Sequence, residues 1–324
     1  MLPIPTKTAP LWIGRGDRSL ITADDLCGVK AWLHAFRLRT LPLAISSIIV
    51  GGALAYEHGS FNANVLGLTL ITAILLQVLS NLSNDLGDHL HGVDNSDRNG
   101  PARSVQSGAI STAAMQRAML IVSSLAFLSG LWLIIMVFGL SLPMLAFLLL
   151  GVLALGAAVK YTFGKDPYGY AGLGDVSVFV FFGLVGVIGS FYLHTSEFNT
   201  AVLMPAIAFG LLSTGVLNVN NMRDIQNDSA NGKITVAVRL GIQKARIYHS
   251  GLIVIPLLLL MVFTYGKIGS NWKWLFLVGY LPIVIHFFGI WRKSDPATFD
   301  PELKRLALGT FATAITFSIG LLLS

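Results

Sequence analysis

Long apolar stretches recur along this chain, at approximately 41–56, 63–84, 112–138, 141–161, 173–194, 200–221, 247–266, 272–290 and 305–323, and they leave little choice of architecture. Each is close to the roughly 20 residues that carry an α-helix across about 30 Å of hydrocarbon. A membrane β-barrel would instead show segments of about ten residues with alternating polarity. The sequence therefore predicts an all-α membrane protein, a nine-transmembrane-helix bundle. Composition agrees: only 12% of the 324 residues are charged, against about 25% in a typical soluble domain. Residues 1–30 carry Pro3, Pro5 and Pro10 and lack the continuous apolar core of a signal peptide. They are read as an N-terminal cytoplasmic tail, and 31–324 as one transmembrane domain. A single Cys27 excludes a disulfide framework and a cysteine metal site.

Charge placement orients the bundle. With the N-terminus inside, all but Lys267 and Lys273 of the 22 Lys and Arg residues fall on the cytoplasmic side. The stretch Trp32 to Arg39 mixes aromatic and basic residues as a membrane interface does. The formal charge of +6 is thereby a property of loops at a lipid surface, and no nucleic-acid partner is expected. The reading is a multi-pass protein of the cell's inner (cytoplasmic) membrane with its polar loops in the cytoplasm. Oligomeric state is left open.

Two acidic clusters stand out against this background. The first follows the apolar run Val65 to Val78: Asn81, Asn84, Asp85 and Asp88 lie three or four residues apart, and Asp94 and Asp97 come soon after. If the helix continues, the first four share one face. The second lies between the sixth and seventh spans, where Asn220, Asp224 and Asp228 again step by four. An even number of crossings separates the clusters, so both emerge on the same side. Carboxylates packed so closely repel one another unless a cation sits between them, and hard oxygen donors without Cys or His suit Mg²⁺. Two such faces can clamp a diphosphate through its metals, with nearby Arg and Lys neutralising the remaining oxygens. A solvated acidic loop would carry the same residues. A secondary transporter would also use intramembrane polar groups, but near mid-membrane, where these spans are nearly bare.

The stretch Asn84-Asp85-x-x-Asp88 with Asp94, and Asp224-x-x-x-Asp228 with Lys233-x-Thr235, resemble the two aspartate motifs of the UbiA superfamily of intramembrane aromatic prenyltransferases. Within it, the chain is most like the branch that prenylates 1,4-dihydroxy-2-naphthoate in menaquinone biosynthesis. The residues carrying that likeness are Gly92-Val-Asp94, Arg98-x-Gly100-Pro101-x-Arg103, Pro167-Tyr168-Gly169-Tyr170, Asn221-Met-Arg223-Asp224 and, more weakly, Asp300-Pro301-Glu302. The resemblance implies a nine-helix fold and Mg²⁺-dependent transfer from a polyprenyl diphosphate to the naphthoate, with decarboxylation. It implies metal ligands among Asn84, Asp85, Asp88, Asp94, Asp224 and Asp228, with Asp88, Asp224, Asp228 and Tyr161 catalytic. Arg37, Arg98, Arg103 and Lys165 are the implied diphosphate or substrate contacts. Other acceptors of the same chemistry, 4-hydroxybenzoate, homogentisate, haem B or chlorophyllide, stay open at this point.

Overall fold

The computed structural model describes residues 28–94, 102–267 and 269–324. Among them, nine helices are long and apolar enough to cross a membrane: α1 (Val29–Glu57), α2 (Ala63–Leu90), α3 (Thr112–Phe138), α4 (Leu142–Lys160), α5 (Gly174–Thr195), α6 (Thr200–Arg223), α7 (Val236–Tyr265), α8 (Asn271–Arg292) and α9 (Asp300–Leu322). Several start where the sequence offers a side chain to satisfy the first free N–H groups: Asn62 caps α2, Ser111 α3, Ser141 α4 and Thr235 α7. Such caps contribute about 1 kcal/mol each.

The expected spans are all present, but some helices run past them. α2 continues through the polar stretch to Leu90, α7 begins at Val236 rather than near 247, and α9 begins at Asp300 rather than near 305. Hydropathy marks where hydrocarbon ends, whereas a helix ends where its backbone loses partners, so charged turns protrude beyond the apolar part. α1 is interrupted at Arg37, which adopts a left-handed conformation (φ 49°), before the helix resumes at Leu41. Pro42 sits in the first turn of the resumed helix, where its missing N–H costs nothing. Asn81 of α2 donates to the carbonyl of Phe36 at 2.9 Å, satisfying an acceptor that the break exposes.

The helices close into a ring. α1 packs on α2, α5 and α9; α6 packs on α5, α7 and α9; α3 and α4 extend the α2 side. α4 has Met144 as its one fully buried side chain, with the rest of its residues partly or fully exposed. The largest core joins α1 and α5–α9 around Phe209, Tyr280 and Phe317, and a second joins α2 and α3 around Leu82, Leu86 and Met115. A cavity remains between them.

Close approach of backbones holds the ring together, as membrane helices require where no water drives them together. A Cβ on Gly183 of α5 would lie 2.6 Å from the Ala206 carbonyl and 2.7 Å from Gly210 Cα of α6. Along Phe179–Gly189 the α5 backbone is wound as a π-helix, and the carbonyl of Phe182 accepts from Ser47 of α1. Gly183→Val should therefore destabilise the bundle by roughly 1–3 kcal/mol through overpacking. Thermal unfolding of the purified variant in detergent, beside Gly151→Ala where a Cβ meets open space, is the measurement.

Candidate active site

The cavity has a volume of about 400 Å³ and is walled by α1–α6. Its inner wall is apolar, with Phe127, Leu131 and Ile134 of α3, Leu148 and Leu155 of α4, and Phe181, Phe182 and Val185 of α5. At one end the lining becomes polar: Asn84 and Asp88 of α2 on one side, Asn220, Asn221, Asp224 and Asp228 on the other, with Arg37, Arg39, Arg103, Tyr161 and Lys233. Helical spacing explains the first face, since Asn84 and Asp88 are one turn apart. The second is built differently. α6 ends at Arg223, Asp224 leaves helical geometry (φ −98°, ψ 12°), and a short helix Ile225–Ala230 carries Asp228.

Local contacts tie these pieces together. Gly87 lies against the backbone of Thr162, and the Thr162 hydroxyl donates to Asn84 Oδ1 at 2.9 Å. Asn227, between the two acids of the second face, donates to the Val93 carbonyl at 2.9 Å, joining the second cluster to the loop after the first. The backbone N–H of Ile234 bonds to the Tyr170 carbonyl, and Arg239 donates to that of Ala171 at 2.7 Å.

Asp88, Asp224 and Asp228 are each under 5% exposed, so their charges need partners. Lys233 spans the two faces, with its ammonium 3.3 Å from Asp88 Oδ1 and 3.9 Å from Asp228 Oδ1. Burial opposes charge on Lys233, but Asp88, Asp228 and Asp224 outweigh it and hold the amine above its ordinary value. The Tyr170 hydroxyl donates to Asp88 Oδ1 at 2.8 Å, and burial together with Asp88 pushes that phenol up. Burial, then Asp175, does the same to Tyr161. Both tyrosines are thus neutral hydrogen-bond donors near neutral pH and not bases.

The donor set consists of oxygens only, two or three from each face. Among the described residues no three His, Cys, Asp or Glu side chains enclose an ion by themselves. Oxygen donors of this kind suit a hard divalent cation that keeps some waters and takes one or two carboxylates together with substrate phosphates.

The structure brings Asn84, Asp88, Asp224, Asp228, Tyr161, Arg37 and Arg103 to one cavity. It departs from the sequence reading at three positions. Asp85 is turned about 100° around α2 from Asn84, outside the cavity lining, and its carboxylate accepts from the backbone of Ser104 and Val105 at 3.2 and 3.3 Å. It secures the loop bearing Arg103 and is not placed to ligate a metal. Asp94 is also outside the lining, with its carboxylate 3.6 Å from Arg103 Nε. Lys165 is exposed and away from the cavity, because the turn after α4 sends it outward; Lys233 stands where a lysine was expected. Arg98 lies outside the described residues. The sequence marks Tyr170 only as part of the Pro167-Tyr168-Gly169-Tyr170 motif and gives Asn227 and Arg39 no site role, and only the Lys233-x-Thr235 motif points to Lys233.

The UbiA prenyltransferase family model matches residues 44–322. The chain is 45% identical over 304 residues to the 1,4-dihydroxy-2-naphthoate octaprenyltransferase of Escherichia coli K12, covering 94% of this chain and 99% of that one. Its fold is similar to the apo structure of a UbiA homolog from Aeropyrum pernix (TM-score 0.66, 18% identity, 88% of this chain and 98% of that one). It is also similar to that of a UbiA homolog from Archaeoglobus fulgidus bound to GPP and Mg²⁺ (TM-score 0.63, 16% identity, 90% and 99%).

Removing the bridging ammonium leaves buried carboxylates facing one another. Lys233→Met should lower stability in EDTA by on the order of 3 kcal/mol, whereas Lys165→Met at the exposed turn should stay within about 0.5 kcal/mol of wild type. Equilibrium unfolding of both variants in detergent compares them.

Proposed function

The chain belongs to the UbiA prenyltransferase family, and from that premise we infer that it transfers a polyprenyl group from its diphosphate to 1,4-dihydroxy-2-naphthoate, a step of menaquinone biosynthesis. The observation that carries this reading is the meeting of two buried acidic faces with a lysine between them at the polar end of an apolar cavity. The 45% identity to a naphthoate octaprenyltransferase over nearly the whole chain supports the acceptor.

Mg²⁺ held by Asn84 and Asp88 on one side and by Asp224 and Asp228 on the other would neutralise the leaving diphosphate. Lys233 then has diphosphate oxygens to pair with, beside Arg37 and Arg103. Tyr161, a neutral phenol, donates a hydrogen bond to the same group. As the C–O bond to the diphosphate breaks, its electron pair leaves with the diphosphate. An electron-rich ring carbon of the acceptor forms the new C–C bond, and the carboxylate departs as CO₂. The apolar wall from α3, α4 and α5 holds the prenyl chain and keeps water from the allylic carbon.

The asymmetry of Lys and Arg supports a cytoplasmic position for this polar end, with both substrates' charged groups entering from that side.

Purified protein supplied with Mg²⁺, a polyprenyl diphosphate and either naphthoate or 4-hydroxybenzoate should yield only the prenylated, decarboxylated naphthoquinol by mass spectrometry. Product from the benzoate alone would overturn the acceptor and keep the chemistry. EDTA should abolish turnover, and Asp88→Ala and Asp224→Ala should each reduce it by at least about 100-fold while the variants still elute as folded protein.

A further inference from the structure

One buried cation has no part in the chemistry above. Arg223 ends α6 with its side chain fully buried, and it is absent from the cavity lining. Its guanidinium grips the next residue in the chain: Nε donates to Asp224 Oδ1 at 2.9 Å and Nη2 to Asp224 Oδ2 at 2.6 Å. Consecutive side chains on a helix point about 100° apart, and the fork forms because Asp224 has left helical geometry. Nη2 also donates to Asn220 Oδ1 at 2.9 Å. Nη1 reaches the other way, to Asp300 Oδ1 at 2.7 Å, in the first turn of α9.

Charge makes this arrangement informative. An Arg–Asp fork alone is neutral, and a carboxylate neutralised from behind attracts a divalent cation poorly. Asp300 adds a second negative charge to the same guanidinium, so Asp300, Arg223 and Asp224 together carry a net charge of about −1. Arg39 offsets Asp300 only weakly, at 3.9 Å across a half-exposed gap. Its first turn is itself anchored: Glu302, 2% exposed, pairs with Arg305 at 2.7 Å and Lys293 at 3.0 Å.

We propose that Asp300 is a positioning residue for the second acidic face. Through Arg223 it fixes the direction of the Asp224 and Asn220 side chains and leaves Asp224 anionic enough to hold a divalent cation. The proposal rests on the metal-binding reading of the site. The simplest competing role is a plain one, since an acid in the first turn of a helix is favoured by the helix dipole.

The test is Mn²⁺ binding by electron paramagnetic resonance, on the purified full-length protein in detergent without substrate. Asp300→Asn keeps an acceptor for Arg223 Nη1 and removes only the charge. It should weaken Mn²⁺ binding on the order of 10- to 100-fold and raise the Mg²⁺ concentration for half-maximal turnover in parallel. Asp300→Glu, which retains the charge, should recover most of the affinity. Glu302→Gln, which loosens the same helical turn without touching Arg223, should lower thermal stability and leave Mn²⁺ affinity within about twofold of wild type. If Asp300→Asn melts lower yet binds Mn²⁺ like wild type, Asp300 serves only the helix and the proposal fails. If the wild-type protein itself binds no Mn²⁺, the metal reading falls and takes this proposal with it.

Discussion

A carboxylate buried where a membrane helix meets its loop needs positive charge or N–H donors beside it, and that requirement shapes the polar end of this bundle. Lys233 meets it for Asp88 and Asp228 at once. Because those two acids come from different helix ends, one ammonium draws together segments that are 140 residues apart along the chain. Arg103 answers Asp94 and Arg223 answers Asp224. The polar end is thus a lattice of buried charge pairs, each costly to break from one side.

That lattice needs rigid mounts. Gly87 on Thr162, Asn227 on Val93 and Ile234 on Tyr170 bind the three loops to one another through backbone groups. Asp85 secures the loop carrying Arg103, and Asn81 holds the break in α1 that carries Arg37. Residues that look like ligands in a motif are here divided between facing the cavity and holding its walls. The division follows helical phase, because positions four apart face the cavity and the intervening one faces the loop.

Below the charges, the cavity stays open because α1, α5 and α6 meet through small residues on one side while α2, α3 and α4 pack separately on the other. Apolar walls next to fixed charges give a site where a diphosphate can leave without water reaching the carbon it leaves behind. On the proposed function, the fold contributes position and exclusion, while the metal and the lysine would contribute charge.

Much of this was determined by sequence alone. Apolar run length set the number of spans, the bias of Lys and Arg paired the loops, and four-residue spacing placed Asn84 with Asp88, all through interactions local in the chain. Those local rules could not say that Asp85 turns away, that Lys165 points out while Lys233 points in, or that Asp300 reaches Arg223 from the start of α9. Each of these depends on which helix end lies beside which. Only the packed ring decides that, because charges far apart in sequence become partners when burial leaves them no water to turn to.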